Sequence, residues 1–392
     1  MSNPNLEKIS GFFGAYYGKM LLNDHGDRVK AIIEGKNPAP YEFEVQPAAR
    51  CNANCRHCFG REYKRCEERL YNEKSMDSAI DQIINFKNDG FGVETIKFCG
   101  STGDPLLNPL TLRAINRAYG KKYLRLFTNG IELGANKDNQ EYLKTIAKIN
   151  NIVVSLDVAS TKTLHETKPG SRRYSELRAD HIFESMAKLG GFGTNVEAGF
   201  AITTGNYWET AEFAKKISKY GAAKKIRYRI DITDPKISEE HSEEINQLLR
   251  EARIYENNKL EIISAHSEEQ IKSSERESFG SKGCGIKCFT CRFWACLGPN
   301  GGIYPCGHIV AADTLNYGNI LEKNLEEIWN GKQRMYLIEN LPGEKCHLCS
   351  PFSLSTNEIF NYLDHSGING DEFWKIHEEY SKQKEDKSLI VH

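Results

Sequence analysis

The sequence predicts an α/β fold in which helices pack against a largely parallel sheet. Segments with the period of strands alternate with segments of helical period from residue 41 to residue 263. The strand segments are short and apolar, as expected of strands that helices cover. An open doubly wound sheet and a full or partial barrel both satisfy this alternation. In either fold, functional residues are expected at the carboxyl ends of the strands.

The individual elements are predicted from the spacing of apolar residues and from the turn residues that bound them. Strands are predicted at 41–45, 95–98, 124–128, 152–156, 196–203, 226–232 and 260–263. Helices are predicted within 1–40, at 76–84, 109–119, 138–149, 174–189, 207–219, 239–257 and 324–339, and in the tail. The chain is therefore divided into an N-terminal helical segment (1–40), a core (41–265), a cysteine-rich region (266–350) and a C-terminal helical tail (351–392).

The charge and hydropathy of the chain exclude several classes of protein. With 52 basic and 53 acidic residues, the formal net charge is −1, which gives no electrostatic case for binding nucleic acid or a membrane surface. The N-terminus lacks the basic and apolar segments of a signal peptide, and no apolar run approaches the ~20 residues that span a bilayer. A cytoplasmic location is therefore expected.

The chain contains 12 cysteines, which is unusual without an export signal. In a reducing compartment, clustered cysteines indicate metal binding or redox chemistry rather than structural disulfides. Three groups account for most of them, namely Cys51, Cys55 and Cys58; Cys284, Cys288, Cys291, Cys296 and Cys306; and Cys346 with Cys349. The groups bracket an apparent α/β core, whereas a disulfide framework would spread its cysteines through a small loop-rich domain.

The first group forms one compact loop with the spacing Cys51-x3-Cys55-x2-Cys58. Three thiolates on such a loop can hold three irons of a four-iron cluster, which leaves the fourth iron open to an external ligand. The alternative is a structural zinc site completed by a residue such as His57. Zinc sites favour two separated pairs of cysteines, so the single loop of three favours the cluster.

This loop, followed by the aromatic Phe59 and lying between a strand and a βα repeat, resembles the radical S-adenosylmethionine (SAM) superfamily. The resemblance covers residues 41–350. It implies a partial (β/α)6 TIM-type barrel whose [4Fe–4S] cluster binds SAM and cleaves it reductively. The resulting 5′-deoxyadenosyl radical abstracts a hydrogen atom from the substrate, and a flavodoxin or ferredoxin supplies the electron.

Further cofactor-binding residues follow from the same resemblance. Gly103 and Asp104 lie in a loop after the second strand, where the family has a Gly-Gly-Glu-Pro motif that contacts the SAM amino group. Thr102 replaces a glycine and Asp104 replaces the glutamate, so a βα turn with Asp104 as a helix cap is the alternative. Two other sites, Asn129 and the pair Ser155 and Asp157, end the third and fourth strands near the expected SAM or substrate. A helix cap is the alternative role for Asp157.

Three charged residues on later strands, Glu197, Arg227 and Arg229, are expected to point inward. An inward arginine suits a carboxylate group of a ligand, and a solvated or ion-paired arginine is the alternative.

The cysteine-rich region resembles a SPASM/twitch extension, which binds auxiliary four-iron clusters. The resemblance rests on Cys288-x12-Gly301-x4-Cys306. It implies one auxiliary cluster held by Cys288, Cys306, Cys346 and Cys349. Cys291 is an alternative to Cys288, and the spacing Cys284-x3-Cys288-x2-Cys291 leaves a second auxiliary cluster open. A zinc ribbon is the remaining alternative for this region.

Three functions are weighed for the chain. The first is a radical SAM oxidoreductase or epimerase that dehydrogenates or epimerises a small polar molecule, such as a sugar, cyclitol or nucleotide. Cys296 and Cys99 are then the predicted catalytic residues, returning a hydrogen atom to the substrate radical. The second is a peptide or protein maturase, which residues 1–40 disfavour because they are too few for a leader-binding module. The third is a zinc-stabilised binding protein without redox chemistry.

Overall fold

The computed structural model describes residues 16–58, 69–70, 72–101, 103–231, 236–265, 268, 271, 287–310, 315–341 and 351–385. The strands are β1 (Glu42–Val45), β2 (Lys87–Asn88), β3 (Phe91–Gly92), β4 (Thr95–Phe98), β5 (Tyr123–Thr128), β6 (Asn151–Ser155), β7 (Asn195–Ile202), β8 (Lys225–Ile230), β9 (Glu261–Ser264), β10 (Trp294–Leu297), β11 (Gly302–Tyr304) and β12 (Gly318–Asn319).

The helices are α1 (Tyr16–Ile33), α2 (Glu73–Asn85), α3 (Thr111–Ala118), α4 (Ile131–Ala135), α5 (Gln140–Ile146), α6 (Thr161–Thr167), α7 (Ala179–Gly191), α8 (Thr210–Tyr220), α9 (Lys236–Arg253), α10 (Thr290–Phe293), α11 (Leu325–Trp329), α12 (Lys332–Glu339), α13 (Pro351–His365) and α14 (Gly370–Glu385). Short 3₁₀ turns lie at Pro105–Leu107, Pro169–Arg173, Tyr207–Glu209 and Gly307–Ile309. No helix within these residues is both long enough and apolar enough to cross a bilayer.

One ten-stranded sheet organises the chain, in the order β12-β11-β10-β1-β4-β5-β6-β7-β8-β9. Strands β1 and β4 to β10 are parallel, and β11 and β12 extend the sheet in antiparallel fashion. The seven strands predicted between residues 41 and 263 are all present, with small differences at their ends. The predicted α/β class is confirmed, and the architecture is a partial TIM-type barrel.

The two faces of the sheet differ in chemistry because side chains alternate along each strand. Outward residues such as Phe43, Val45 and Phe98 are fully buried in the main core beneath the helices. Their neighbours on the opposite face, here called the inner face, include Glu44 and Lys97. The expectation of apolar strands was therefore right for the outer face and wrong for the inner face, which is lined by charge.

The sheet is continuous between the predicted core and the predicted cysteine-rich region. Strand β10 pairs in parallel with β1, which places Cys296 beside Glu44. Periodicity did not predict β10 to β12, because each is only two to four residues long. The boundary at residue 265 stays a prediction, although hydrogen bonds of one sheet join the two regions.

Two further differences from the predictions have local causes. The single helix predicted at 324–339 is instead α11 and α12, separated at Gly331, whose extended backbone caps α12. A Cβ atom at Gly331 would lie 2.8 Å from the carbonyl oxygen of Glu327, so the turn requires glycine. The N-terminal and C-terminal helices, predicted separately, pack together in a second core that includes Val29, Phe360 and Phe373.

Candidate active site

The loop Cys51–Cys58 follows β1 and is held by two close backbone contacts. The amide of Gly170 donates to the carbonyl of Ala53 at 2.9 Å, and a Cβ atom on Gly170 would lie 2.1 Å from the Asn52 oxygen. A Cβ atom on Gly103 would lie 2.5 Å from the Arg50 oxygen. Both glycines therefore allow backbone to approach the cysteine loop closely. For Gly103, this contact is with the chain itself, and its contact with SAM stays a prediction.

Hydrogen-bond donors surround two of the three sulfurs. The amide of Ala53 and the side-chain amide of Asn129 each lie 3.5 Å from the Cys51 sulfur. The ammonium group of Lys168 lies 3.7 Å from the Cys55 sulfur. Burial raises the pKa of Cys51 and, against the opposing charge of Lys168, raises the pKa of Cys55 to about 11. Binding of a metal at these thiols would therefore release protons.

The donor set of this loop fits an iron–sulfur cluster. Soft sulfur ligands favour such clusters, and donors directed at the sulfurs stabilise their negative charge. Within the described residues, no three Cys, His, Asp or Glu side chains form a closed ligand set. The imidazole of His57, the fourth ligand of the zinc alternative, lies 3.7 Å from the Asp157 carboxylate instead.

The Asp104 carboxylate accepts hydrogen bonds from the chain itself. The hydroxyl of Thr128 and the amides of Asn129 and Leu106 donate to it at 2.8 to 3.1 Å. The contact with Leu106 makes Asp104 the N-cap of a 3₁₀ turn, which is the alternative considered from the sequence. Burial raises the pKa of Asp104. This geometry assigns Asp104 to positioning the end of β5, and its predicted contact with SAM stays a prediction.

Asn129 connects that strand end to the cysteine loop. Its amide group donates to the Asn52 side chain at 2.9 Å as well as facing the Cys51 sulfur. The side-chain oxygen of Asn129 accepts a hydrogen bond from the backbone amide of Ile131 at 2.8 Å. Asn129 therefore orients the loop directly, in the region where the sequence placed it.

A buried ion pair beside Cys55 was not predicted. Lys168 is 1% exposed and donates to the Asp157 carboxylate at 2.7 Å and to the Ser155 carbonyl at 2.9 Å. Burial alone would raise the pKa of Asp157, but Lys168 and His57 hold it well below its usual range. The two predicted residues Ser155 and Asp157 thus meet near the first cysteine loop. Lys168 belongs to no sequence motif, so nothing in the sequence marked it.

A polar cavity of about 550 Å³ opens beside this loop. His57, Thr203, Trp208 and Asp231 are among the residues that line it. The volume lies within the range of ligand sites, and the lining residues come from the cysteine loop, the end of α6 and the segments that follow β7 and β8. The cavity therefore offers room for a ligand beside the loop that carries Cys55 and Cys58.

The inner face brings the two predicted catalytic cysteines to the same carboxylate. Cys296 on β10 lies 3.9 Å from the Glu44 carboxylate, and the Cys99 thiol hydrogen-bonds to it. Lys97 pairs with Glu44 at 2.6 Å. Burial raises the pKa of Glu44, but Lys97 outweighs it and the pKa falls to about 2. Burial and then Glu44 raise the pKa of both thiols well above its usual value.

The other charged residues predicted to point inward divide into two cases. Arg227 pairs with Glu197 at 2.6 Å, and Asn151 donates to the same carboxylate at 2.9 Å. Arg229 is exposed at the end of β8. The Arg227 guanidinium is therefore balanced by the chain's own carboxylate.

The second group of cysteines is partly within the described residues. Cys288 and Cys291 lie together, and the Cys291 thiol donates to the Cys288 carbonyl at 3.1 Å. The hydrogen bond between the two thiols raises the pKa of Cys288 and lowers the pKa of Cys291. Cys306 precedes a 3₁₀ turn. The two alternative ligands, Cys288 and Cys291, therefore lie side by side. Which of them binds the auxiliary cluster stays a prediction.

Five predicted or discussed residues lie outside the described residues, namely Phe59, Thr102, Cys284, Cys346 and Cys349.

Comparison with known proteins agrees with the sequence motifs. Residues 45–214 match the family model described as the radical SAM superfamily, and residues 288–350 match an iron–sulfur cluster-binding domain named SPASM. No curated protein matches the sequence.

Solved structures show the same fold at low sequence identity. Streptococcus suis SuiB bound to the precursor peptide SuiA is 16% identical, with a TM-score of 0.56, over 86% of this chain and 75% of that chain. SuiB bound to S-adenosylmethionine is 15% identical, also with a TM-score of 0.56, over 87% and 78%. Native anSMEcpe with AdoMet and the Kp18Cys peptide has a TM-score of 0.49 at 15% identity, over 87% and 100%, which is too low to add to the comparison.

Proposed function

The chain belongs to the radical SAM superfamily and carries a SPASM-type extension, and from this we propose that it modifies a peptide and returns a hydrogen atom to it from a thiol. The observation that carries the proposal is the pair of inner-face thiols, Cys99 and Cys296, at the Glu44 carboxylate. When bound, the [4Fe–4S] cluster and SAM supply the radical that takes a hydrogen atom from the substrate. The zinc-binding alternative does not fit the family match.

The residues that would hold the cofactors are those of the three cysteine groups. Cys51, Cys55 and Cys58 would hold the SAM-binding cluster, with Asn129 and Lys168 directed at their sulfurs. Cys288 or Cys291 would hold an auxiliary cluster with Cys306, and with Cys346 and Cys349. A reducing electron donor of the flavodoxin or ferredoxin type would supply electrons, which agrees with the expected cytoplasmic location.

The thiols suit hydrogen-atom return because they keep their protons. Burial and the Glu44 charge raise the pKa of Cys99 and Cys296, so both remain S–H rather than thiolate at neutral pH. The S–H bond breaks homolytically as a C–H bond forms on the substrate carbon. The sulfur radical then takes one electron from the external donor and one proton from water, which restores the thiol. Return of hydrogen to the opposite face of the carbon inverts its configuration.

A peptide is favoured over a small molecule by the fold comparison. SuiB, which shares the fold at a TM-score of 0.56, was solved with its precursor peptide. This shared architecture changes the order of preference from the sequence, where the small polar molecule came first.

The small polar molecule is kept as a second candidate because of the inner face. Lys97, Glu44 and Arg227 line a surface that suits hydroxyl and carboxylate groups better than apolar side chains. Dehydrogenation or epimerisation of a sugar, cyclitol or nucleotide would use the same radical. The thiols serve either substrate class.

The test uses anaerobic enzyme with SAM, dithionite and substrates deuterated at carbon. Transfer of deuterium from a peptide into 5′-deoxyadenosine supports the peptide proposal, whereas transfer only from sugars or cyclitols contradicts it. In D₂O, one deuterium should enter the product carbon, because the thiols exchange with solvent. Cys296→Ala or Cys99→Ala should remove this incorporation while 5′-deoxyadenosine still forms. A product two mass units lighter without solvent deuterium would contradict hydrogen return.

A further inference from the structure

A fully buried arginine lies beside the second cysteine group. Arg334 on α12 is 0% exposed, and its guanidinium carbon stacks 3.4 Å from the centroid of the Trp329 ring. One nitrogen, Nη1, donates to the Asn37 side chain at 2.8 Å and to the Trp329 carbonyl at 3.0 Å. Within the described residues, its Nε and Nη2 atoms have no hydrogen-bond partner.

No carboxylate among the described residues pairs with this guanidinium, in contrast to the other buried cations. Arg28 pairs with Glu94, and Lys168 pairs with Asp157. A buried charge without a counter-charge and with unused donors is unfavourable, and such groups usually indicate an acceptor that binds there. The orphaned donors of Arg334 therefore point to a negatively charged ligand.

A second buried donor without a partner among the described residues lies near the Arg334 guanidinium. The hydroxyl of Tyr317 is buried and, among the described residues, has no partner. The Arg334 guanidinium lies 5.5 Å from the centroid of the Tyr317 ring, and the Tyr317 amide donates to the Ile303 carbonyl at 2.8 Å. Two independent elements, α12 and the segment before β12, thus present unused donors to one place.

That place is the second cysteine group. Arg292, the residue after Cys291, donates to the Glu339 carboxylate of α12 at 2.6 Å, and the Ile303 carbonyl that accepts from the Tyr317 amide lies three residues before Cys306. The amide of Cys288 donates to the Leu341 carbonyl at 3.2 Å, which ties this group to the chain just beyond α12. The orphaned donors and the candidate ligands therefore share one buried region.

We propose that Arg334 and Tyr317 are positioning residues that donate to the sulfurs of the auxiliary cluster and that Arg334 raises its reduction potential. Cluster sulfurs accept hydrogen bonds, and such bonds together with nearby charge set the potential. A four-iron cluster with four thiolates is an anion that becomes more negative on reduction. An unbalanced positive charge therefore favours the reduced form. The inference rests on the proposed ligands in this group and not on the identity of the substrate.

The experiment is a potentiometric titration of the anaerobic holoenzyme followed by electron paramagnetic resonance. Added SAM identifies the first cluster, because it changes only that signal. Arg334→Gln should lower the midpoint of the auxiliary signal by at least the equivalent of a tenfold change in its reduced-to-oxidised ratio, about 59 mV for one electron. Tyr317→Phe should lower it by less. The first cluster should keep its midpoint in both variants.

Matched controls separate this effect from general destabilisation. Arg28→Gln removes a comparably buried arginine, 2% exposed, that is balanced by Glu94, and Tyr228→Phe removes a buried hydroxyl that donates to Thr210 at 2.7 Å. Neither should move the auxiliary midpoint. If Arg334→Gln does not fold, Arg334→Lys keeps the charge but loses the planar donors and should give a smaller decrease.

The outcomes distinguish this inference from the proposed function. An unchanged auxiliary midpoint in Arg334→Gln or, if that variant does not fold, in both Arg334→Lys and Tyr317→Phe overturns the inference. An iron content of about four per chain also overturns it, since no auxiliary cluster would then be present, even if SAM cleavage remains. Shifted midpoints in an enzyme that modifies no peptide uphold the inference and contradict only the substrate proposal.

Discussion

The two cysteine groups differ in how the positive charge beside them is balanced. Near the first group, Lys168 lies 3.7 Å from the Cys55 sulfur and is paired with Asp157 at 2.7 Å. Near the second group, Arg334 is equally buried, but among the described residues it meets two aromatic rings, an amide oxygen and a carbonyl, and no carboxylate. The first cation is neutralised by the chain, and the second is available to a ligand.

This difference bears on what each site can do. An ion pair whose charges balance orients the neighbouring groups but produces little net electric field at the cluster. An unbalanced cation, in contrast, stabilises the reduced form of a nearby cluster. The same type of cofactor can therefore have different reduction potentials at the two sites. Four predictions test this comparison, in decreasing order of expected effect.

The largest effect is expected from removing a ligand at either site. Cys55→Ala should lose the first cluster and reduce 5′-deoxyadenosine formation to background, because no iron is left to bind SAM. Cys306→Ala should lose the auxiliary cluster and keep SAM cleavage. Iron content, electron paramagnetic resonance and product assays measure both. Loss of both clusters in each variant would show that the two sites are not independent.

A large loss of stability is expected from Lys168→Met. It leaves the buried Asp157 carboxylate without its partner, which costs about 3–5 kcal/mol in the free energy of unfolding. The double variant Lys168→Met/Asp157→Asn removes both charges and should recover much of this loss in denaturant titrations. At the second site, Arg334→Met leaves no carboxylate behind and should cost less. Equal losses for the two single variants would contradict the comparison.

On the inner face between the two sites, Lys97 and Glu44 form another balanced ion pair. This pair makes the free energy of unfolding depend on pH. Lys97 lowers the pKa of Glu44 to about 2, so this pair stabilises the fold fully above the ordinary glutamate pKa. Its contribution, about 3 kcal/mol, is lost as the pH falls from about 4.5 towards 2. Glu44→Gln should flatten the acid side of the stability curve in denaturant titrations. An unchanged acid slope in that variant would contradict the assignment.

The smallest effect is expected from Asn129→Ala, which removes one long donor, at 3.5 Å, from the Cys51 sulfur. The midpoint potential of the first cluster should fall by less than the auxiliary midpoint falls in Arg334→Gln. Asn139→Ala provides the control, because it removes a helix cap of similar chemistry and should cost about 1 kcal/mol of stability without moving either midpoint. A larger shift in Asn129→Ala than in Arg334→Gln would reverse the comparison.

Much of the fold could be predicted because its signals are local. The strands that end at Phe98 and Thr128 and the helices between them follow from apolar spacing alone. The spacing of the cysteines in the compact loop Cys51–Cys58 likewise indicates the chemistry of that loop. The Gly331 break between two helices was missed because its cause is a contact with the preceding turn.

Residues that depend on long-range pairing could not be predicted in the same way. Cys296 and Cys99 were proposed as separate candidates, and only the register of β10, β1 and β4 brings both to Glu44. Lys168 follows a short helix with no motif around it, yet the fold buries it against Cys55. The role of Lys168 depends on its burial and on its ion-pair partner, and sequence spacing predicts neither of these.

The sequence by itself determined the α/β architecture and the positions of the cysteines, because periodicity and spacing act over a few residues. Only the tertiary structure decided which charges are balanced. Asp157 meets Lys168 across the helix α6, while Arg334 meets an aromatic ring and no carboxylate among the described residues. Electrostatic free energy depends on distance and burial in space, and residues far apart in the chain determine both.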